Sequence, residues 1–270
     1  MKLELTPTKV FGDLLRIRAE RPLVHHLTNW VTIYDCAQIT RSTGGLPVMA
    51  HAVEESGDMT KISKALVINI GTLTKEFIKA SIEAGKRANE MNIPVILDAV
   101  GAGATPFRTL SAQNIIEEVN VSVLKGNGGE IATLAGAVAE VRGVESVNVE
   151  GDPKKHAEDL ARELETTVAI TGEVDIVTDG SRLARIMNGH ELMGKVVGTG
   201  CMSASVIGTF AAVNDDPFNA AAGGLSAYGI AGEIAAKETT RPMEFKNRLM
   251  DTMSDLKEED LASMKVILSN

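Results

Sequence analysis

The chain has 270 residues, of which 44% are hydrophobic and 23% are charged, and its formal net charge is −9. This acidic balance, without a basic cluster, argues against nonspecific binding to nucleic acid or to anionic membranes. The two cysteines, Cys36 and Cys201, are too few for a disulfide framework, and no apolar run reaches the roughly 18 residues of a membrane span. We predict one cytoplasmic domain over residues 1–270.

Short apolar runs alternate along the chain with longer segments of mixed polarity. After an N-terminal amphipathic helix, the runs that are apolar nearly throughout are predicted to be strands buried on both faces, namely 22–27, 46–50, 65–71, 93–101 and 121–127. Helices are predicted between them, for example over 74–91 with Thr74 as a cap, and over 152–165, where Asp152 and Pro153 are start signals.

The second half of the chain departs from this alternation. Residues 167–190 are predicted to form hairpins, with Asp179-Gly180 and Asn188-Gly189 as turn pairs. Beyond Gly200 the chain is predicted to be helical to its end. The whole pattern predicts an α/β fold, a three-layer sandwich in which a mainly parallel central sheet carries helices on both faces.

In such sheets, ligands bind beyond the carboxyl ends of the strands. That rule selects the residues that follow each predicted strand, which are Asn29, Met49–His51, Gly71, Asp98–Gly103, Lys125–Glu130, Thr171 and Gly172. Met49 is suited to pack on a flat ligand, although a core position is equally compatible. His25, His26 and His51 fit no zinc spacing and are interpreted as structural.

The stretch 195–210, KVVGTGCMSASVIGTF, places a glycine turn in front of an apolar helix. The backbone N–H groups of Gly198, Thr199, Gly200 and Cys201, together with the positive end of the helix dipole, would form a pocket for a phosphoryl group. A tight turn without any ligand is the alternative. We expect the helix N-terminus to lower the pKa of the Cys201 thiol.

Two further segments carry carboxylates. In LKGNGGEIATLAG (124–136), a helix that begins near Asn127 would bring Asn127 and Glu130 to one face, where they could hold Mg²⁺. In VILDAVGAGATPFR (95–108), Asp98 could serve the same ion. Glu130 could equally serve the helix dipole, and Asp98 could be an ordinary turn residue. Arg108 is either a phosphate clamp or a surface residue, and the surface is favoured.

Taken in order, these segments resemble the hydroxyethylthiazole kinases, a ribokinase-like family. The resemblance rests on PLVHHLTNWVT, GGLPVMAHAVEE, ALVINIGTL, PVILDAVGAGATPFR, LKGNGGEIATLAG, VAITGEVDIVTDG and NGHELMGKVVGTGCMSASVIG, and it covers roughly residues 20–235. It implies a ribokinase-like sandwich that uses ATP to phosphorylate 4-methyl-5-(2-hydroxyethyl)thiazole in thiamine salvage.

The resemblance also implies roles for individual residues. Met49, Gly198 and Asn29 would contact the thiazole. Lys125 and Thr171, with Asn127 nearby, would contact ATP, and Asp98 and Glu130 would serve Mg²⁺. The catalytic turn would comprise Thr199, Gly200 and Cys201. A homotrimer with the thiazole near subunit interfaces is implied as well.

Cys201 falls where related sugar kinases place an aspartate base, and we favour a positioning or weak-base role for it. The chain departs from the family pattern at Tyr34 and Gln38 on the acceptor side and at Ala99. A kinase for another small heterocyclic alcohol therefore stays open, as does a noncatalytic nucleotide-binding relative. A dinucleotide oxidoreductase is disfavoured because no glycine fingerprint follows the first strand.

Overall fold

The computed structural model describes residues 5–136, 139–142, 145–149 and 151–269, with the backbone alone over 139–142 and 145–149. Its strands are β1 Leu23–Leu27, β2 Leu46–Val48, β3 Ala65–Asn69, β4 Val95–Asp98, β5 Val123–Gly126, β6 Ala139–Arg142, β7 Glu145–Val149, β8 Thr167–Ile170, β9 Asp175–Thr178, β10 Leu183–Ile186 and β11 Val266–Ser269. Its helices are α1 Pro7–Glu20, α2 Ile33–Thr43, α3 Val53–Lys61, α4 Lys75–Glu90, α5 Pro106–Glu118, α6 Gly128–Leu134, α7 Pro153–Leu164, α8 Thr199–Ala211, α9 Pro217–Glu238, α10 Pro242–Asp255 and α11 Glu258–Leu261. A short 3₁₀ helix covers Glu191–Lys195.

One sheet organises the fold, with strand order β11-β10-β9-β8-β5-β4-β3-β1-β2. The pairings from β2 through β8 are parallel, and those of β8–β9, β9–β10 and β10–β11 are antiparallel. Strands β6 and β7 pair separately. The parallel order brings the carboxyl ends of six strands to one edge of the sheet, as the sequence predicted.

Each face of the sheet buries its own core. In β3, Ala65 and Val67 belong to one core with α1, α2 and α8–α11, whereas Leu66 and Ile68 belong to the other core with α4, α5, α6 and α7. Neither face of these buried strands contacts solvent, which explains why their sequences are apolar at consecutive positions. The predicted sandwich with helices on both faces is confirmed.

Several local signals act as predicted. The Thr74 side chain accepts a hydrogen bond from the Phe77 amide at the start of α4, and Asp152 caps α7 with Pro153 in the first turn. The Asp179-Gly180 pair lies in the turn between β9 and β10. His25 is buried, is bonded to Thr60 and to the Ala50 carbonyl, and its pKa is lowered to about 4 by burial, which suits a structural residue.

Two predictions about the second half are wrong. Asn188-Gly189 does not turn a hairpin, because the chain continues from β10 into the 3₁₀ helix. The chain is also not helical to its end: β11 pairs antiparallel with β10. Without β11, the edge of β10 that faces away from β9 would leave a row of backbone groups without partners, and β11 satisfies them. Within the described residues, we find no helix with the length and apolar character needed to cross a membrane.

Candidate functional site

The carboxyl edge of the sheet has a buried polar floor. Asp98 ends β4 and Lys125 lies opposite it in β5, and the Lys125 ammonium contacts the Asp98 carboxylate at 3.0 Å. Both side chains are almost fully buried. Burial lowers the pKa of Lys125, but the acidic groups around it, Asp98 first, together outweigh burial, so the pKa of Lys125 is raised. The floor therefore holds a cation that stays protonated at neutral pH.

Asn127 and Glu130 form the predicted start of a helix. The Asn127 side chain accepts from the Glu130 amide at 2.9 Å, and the Glu130 carboxylate accepts from the Asn127 amide at 2.7 Å, which makes a capping box at α6. The other Glu130 oxygen accepts from the Gly101 amide at 2.6 Å. Burial, followed by the nearby charge of Asp98, raises the pKa of Glu130 to about 7. Glu130 thus ties the loop after β4 to α6.

The glycine turn begins α8 as predicted. Gly198 is the N-cap residue, with a left-handed φ of +97° that favours glycine. A Cβ at Gly198 would lie 2.6 Å from Thr32 Cγ2, whereas a Cβ at Gly200 would meet nothing within 4 Å. Gly200 is exposed, so this part of the turn lies at the protein surface. The Thr199 hydroxyl donates backward to the carbonyls of Met193 and Val196, so this side chain is already engaged with the segment that precedes α8.

Cys201 stands on the first turn of α8 and is half-buried. The Asn29 amide nitrogen lies 3.3 Å from its sulfur. Burial and then the charge of Asp98 raise the pKa of the thiol. The expected lowering by the helix N-terminus is therefore wrong, because desolvation and a nearby carboxylate oppose the thiolate more strongly. The group is a neutral thiol at neutral pH.

Met49 and Thr171 mark the two ends of this edge. Met49 directly follows β2 and is half-buried; Thr171 follows β8, and its amide donates to the Gly126 carbonyl at 2.9 Å. Asn29, Cys201, Asp98, Lys125 and Glu130 lie between them. The structure therefore separates the residues expected to contact the thiazole, at the β1–β2 end, from those expected to contact ATP, at the β5–β8 end.

Sequence reasoning missed several residues that organise the site. Asn69 ends β3 and is 1% exposed, and its polar side chain at the end of an apolar strand was the available signal. Asp175, at the start of β9, accepts from the Gly172 amide at 2.9 Å. The favoured interpretation of Arg108 as a surface residue is wrong, since its guanidinium is part-buried and donates to the carbonyls of Ile70, Gly71 and Val100.

The carboxylates at this edge suit a hard cation held mainly by water and phosphate. Among the described residues, no group of three or more His, Cys, Asp or Glu side chains could by itself enclose a metal ion. Asp98 and Glu130 are close enough for the charge of one to raise the pKa of the other. Mg²⁺ commonly keeps several waters and takes only one or two protein carboxylates, so these two would meet it through the lone pairs left beside their present partners, which are Lys125 and Asn69 for Asp98 and Gly101 and Asn127 for Glu130.

The chain matches known proteins over nearly its whole length. The model of the hydroxyethylthiazole kinase family matches residues 14–259. A curated hydroxyethylthiazole kinase of Methanosarcina mazei is 53% identical over 94% of this chain and 97% of its own length. One of Thermoanaerobacter pseudethanolicus is 49% identical over 94% of this chain and 98% of its own.

Solved structures agree with this match. A hydroxyethylthiazole kinase from Pyrococcus horikoshii superposes with a TM-score of 0.89 at 41% identity, covering 97% of this chain and all of that one. A ribokinase-like superfamily protein from Enterococcus faecalis has a TM-score of 0.59 at 14% identity, covering 94% of this chain and 90% of its own, and so shares the fold alone. The ribokinase-like fold expected from the sequence is confirmed.

Proposed function

The chain belongs to the hydroxyethylthiazole kinase family, and we propose that it transfers the γ-phosphoryl group of ATP to the hydroxyl of 4-methyl-5-(2-hydroxyethyl)thiazole, a step of thiamine salvage. The observation that carries this proposal is the juxtaposition at the sheet edge. The exposed residue Gly200 at the start of α8 directly precedes Cys201, and the side chains of Asn29 and Asn69 connect the Cys201 thiol to the buried Lys125–Asp98 pair.

The glycine turn would stabilise the charge of the transferred group. Phosphoryl transfer passes through a loose transition state with charge on the equatorial oxygens, so positioning and electrostatics provide most of the catalysis. Backbone N–H groups from Gly198 to Cys201 lie in the first turn of α8, where the amides have no partner within the helix. They would hold the phosphoryl oxygens as an anion hole.

Lys125 would offset the charge of the ATP phosphates. An ammonium has three N–H donors, and the bond to Asp98 uses one of them. Asp98 and Glu130 would hold Mg²⁺ through its waters, with Asn127 and Thr171 nearby; the ion, when bound, supplies positive charge to the phosphates.

Cys201 would position the acceptor alcohol instead of acting as a strong base. Its thiol has a raised pKa, and a thiolate next to an incoming phosphate would be repelled. Because proton loss can lag behind bond formation in a loose transition state, a strong base is unnecessary. Asn29, Met49 and Gly198 complete the proposed acceptor side.

A competing proposal is a kinase for another heterocyclic alcohol. This alternative is based on Tyr34 and Gln38, which depart from the family pattern on the acceptor side. The Gln38 amide donates to the Tyr34 hydroxyl at 2.8 Å on an exposed part of α2. An assay that couples ADP release to a panel of thiazole, pyrimidine and pyridine alcohols separates the two proposals by kcat/KM. A noncatalytic relative would bind ATP and phosphorylate none of them.

We also propose that the chain assembles as a homotrimer with its acceptor sites near subunit interfaces. Trp30, Val31 and Tyr34, which follow β1, are 57%, 67% and 69% exposed, and Val197 beside the glycine turn is 74% exposed. Contact with a second copy of the chain would remove these apolar side chains on the acceptor side from water and so stabilise the assembly. Light scattering on the eluted peak of a sizing column tests the mass. The single domain and the cytoplasmic location stay predictions.

A further inference from the structure

Two buried asparagines connect the thiol to the lysine–aspartate pair. The Asn29 amide nitrogen lies 3.3 Å from Cys201 Sγ and 2.9 Å from Asn69 Oδ1. The Asn69 amide nitrogen lies 2.6 Å from Asp98 Oδ2, and Asp98 Oδ1 binds Lys125 at 3.0 Å. The chain of contacts follows from the topology, because β1, β3, β4 and β5 are consecutive neighbours in the sheet.

Backbone groups fix the orientation of both amides. Asn29 Oδ1 accepts from the amides of Val31 and Thr32 at 3.1 and 3.0 Å, and Asn69 Oδ1 accepts from the Gly71 amide at 3.0 Å. A backbone N–H can only donate, so the oxygen end of each side chain is determined. The NH₂ group of Asn29 therefore faces the sulfur, and that of Asn69 faces the carboxylate.

Asn69 occupies the branch point of this network. Its oxygen accepts from Asn29 and so holds the Asn29 donor near Cys201. Its nitrogen donates to Asp98 and so fixes the carboxylate that pairs with Lys125. Asn29 and Asp98 are 3% and 0% exposed, which leaves little water to replace a lost partner. A fully satisfied buried network of this kind is rigid, and an unsatisfied one is costly.

We propose that Asn69 is a positioning residue, which contacts neither substrate but holds the thiol side and the phosphate side of the site in a fixed relation. This inference rests on the proposed kinase function for its effect on turnover. It makes a second claim that needs no turnover: the environment of the Cys201 thiol depends on Asn69.

The first experiment compares Asn69→Ala with wild type in two assays. Steady-state kinetics should show kcat lowered by about tenfold or more, because the reacting groups lose their alignment, with a smaller change in KM for ATP. The second assay measures the rate of alkylation of Cys201 by iodoacetamide over a pH series, by mass spectrometry of the Cys201 peptide. The pH at which this rate rises should be higher in the variant than in wild type. The reason is that the Asn29 donor, which favours the thiolate, loses its support. The buried Cys36 serves as an unreactive internal reference.

Asn89→Ala is the matched control. Asn89 also hydrogen-bonds through both ends of its side-chain amide, to the Asn120 carbonyl and amide, at the opposite edge of the sheet. Its variant should leave kcat and the alkylation profile of Cys201 unchanged, even if it melts at a lower temperature. A general loss of stability would move both variants alike, whereas positioning moves only the Asn69 variant.

Asn69→Asp keeps the proposal testable if Asn69→Ala fails to fold. It retains the oxygen that accepts from Asn29 and Gly71 but replaces the donor to Asp98 by a second carboxylate. We expect a lower kcat and a lower melting temperature, with the melting temperature partly restored when Asp98→Asn is added. An Asn69→Asp protein with the kcat and melting temperature of wild type would overturn the proposal, as would an Asn69→Ala protein with an unchanged alkylation profile. If wild type phosphorylates no alcohol, the proposed function fails and the alkylation comparison still decides the claim about Asn69.

Discussion

Replacing Gly198 by alanine tests whether the glycine turn must keep its geometry. A residue with a side chain in the left-handed region costs about 1–2 kcal/mol, and Gly198 has a φ of +97°. The new Cβ would also lie 2.6 Å from Thr32 Cγ2. Ordinary contacts begin at 3.4 Å, so these two atoms must separate by about 0.8 Å, the difference between the two distances.

That displacement reaches the reacting groups. The Thr32 amide donates to Asn29 Oδ1 at 3.0 Å, and Asn29 in turn contacts Cys201. A misplacement of about 1 Å can lower a rate about 100-fold. We expect Gly198→Ala to lower kcat by about 10- to 100-fold, and to lower Tm by a few degrees, since 1–2 kcal/mol corresponds to roughly that shift in a chain of this size.

The assay couples ADP release to NADH oxidation and follows Tm by thermal unfolding. Thr32→Ser removes the clashing methyl group and keeps the hydroxyl, so the double variant Gly198→Ala/Thr32→Ser should regain part of the lost kcat while keeping the left-handed strain. Gly12→Ala is the control, because a Cβ there meets nothing within 4 Å and it lies within α1, where alanine is favoured over glycine. Gly198→Ala with the kcat and Tm of wild type, or no recovery in the double variant, would refute the reasoning.

Three further predictions concern single groups at or near the site. Cys201→Ser should retain most of kcat near neutral pH, because the thiol there is protonated and a hydroxyl can take its positioning role. Lys125→Met should lower the free energy of unfolding in urea by about 3–5 kcal/mol, since it leaves the buried Asp98 without a counter-charge, and adding Asp98→Asn should recover part of the loss. Burial raises the pKa of Asp175 from 3.8 to about 6, so its contribution to stability is present below pH 3.8 and is lost as pH rises through about 6. Asp175→Asn keeps the oxygen that accepts from Gly172 and cannot ionise. The free energy of unfolding of the variant, relative to that of wild type, should therefore increase as pH rises from 3.8 to about 6.

Each of these predictions has its own contrary result. An inactive Cys201→Ser protein that folds normally would make the thiol an essential group. Lys125→Met with wild-type stability would mean that Asp98 is neutral or hydrated in solution. An Asp175→Asn curve that runs parallel to the wild-type curve at every pH would mean that the carboxyl does not titrate differently in the folded and unfolded chain.

The local parts of the site could be predicted because local sequence determines them. Asn127 and Glu130 are three residues apart, and that spacing alone is enough for a capping box. Gly198 precedes an apolar helix, and Asp98 follows an apolar strand. Such positions depend on neighbours within a few residues and on the rule that parallel strands end at one edge.

The remaining features depend on partners that are distant in sequence. β11 forms because β10, some 80 residues earlier along the chain, offers an open edge. The three carbonyls that Arg108 binds belong to the loops after β3 and β4, so no spacing around Arg108 reveals them. The raised pKa of Cys201 reflects desolvation and the charge of Asp98, a residue 103 positions away in sequence that only the folded sheet brings near.

The most direct test of the proposed kinase is the product itself. Wild-type protein is incubated with Mg-ATP and 4-methyl-5-(2-hydroxyethyl)thiazole, and the mixture is followed by mass spectrometry and phosphorus NMR. We expect one thiazole phosphate ester for each ADP formed. ADP with inorganic phosphate and no ester, or ATP that is bound and never consumed, would contradict the proposal.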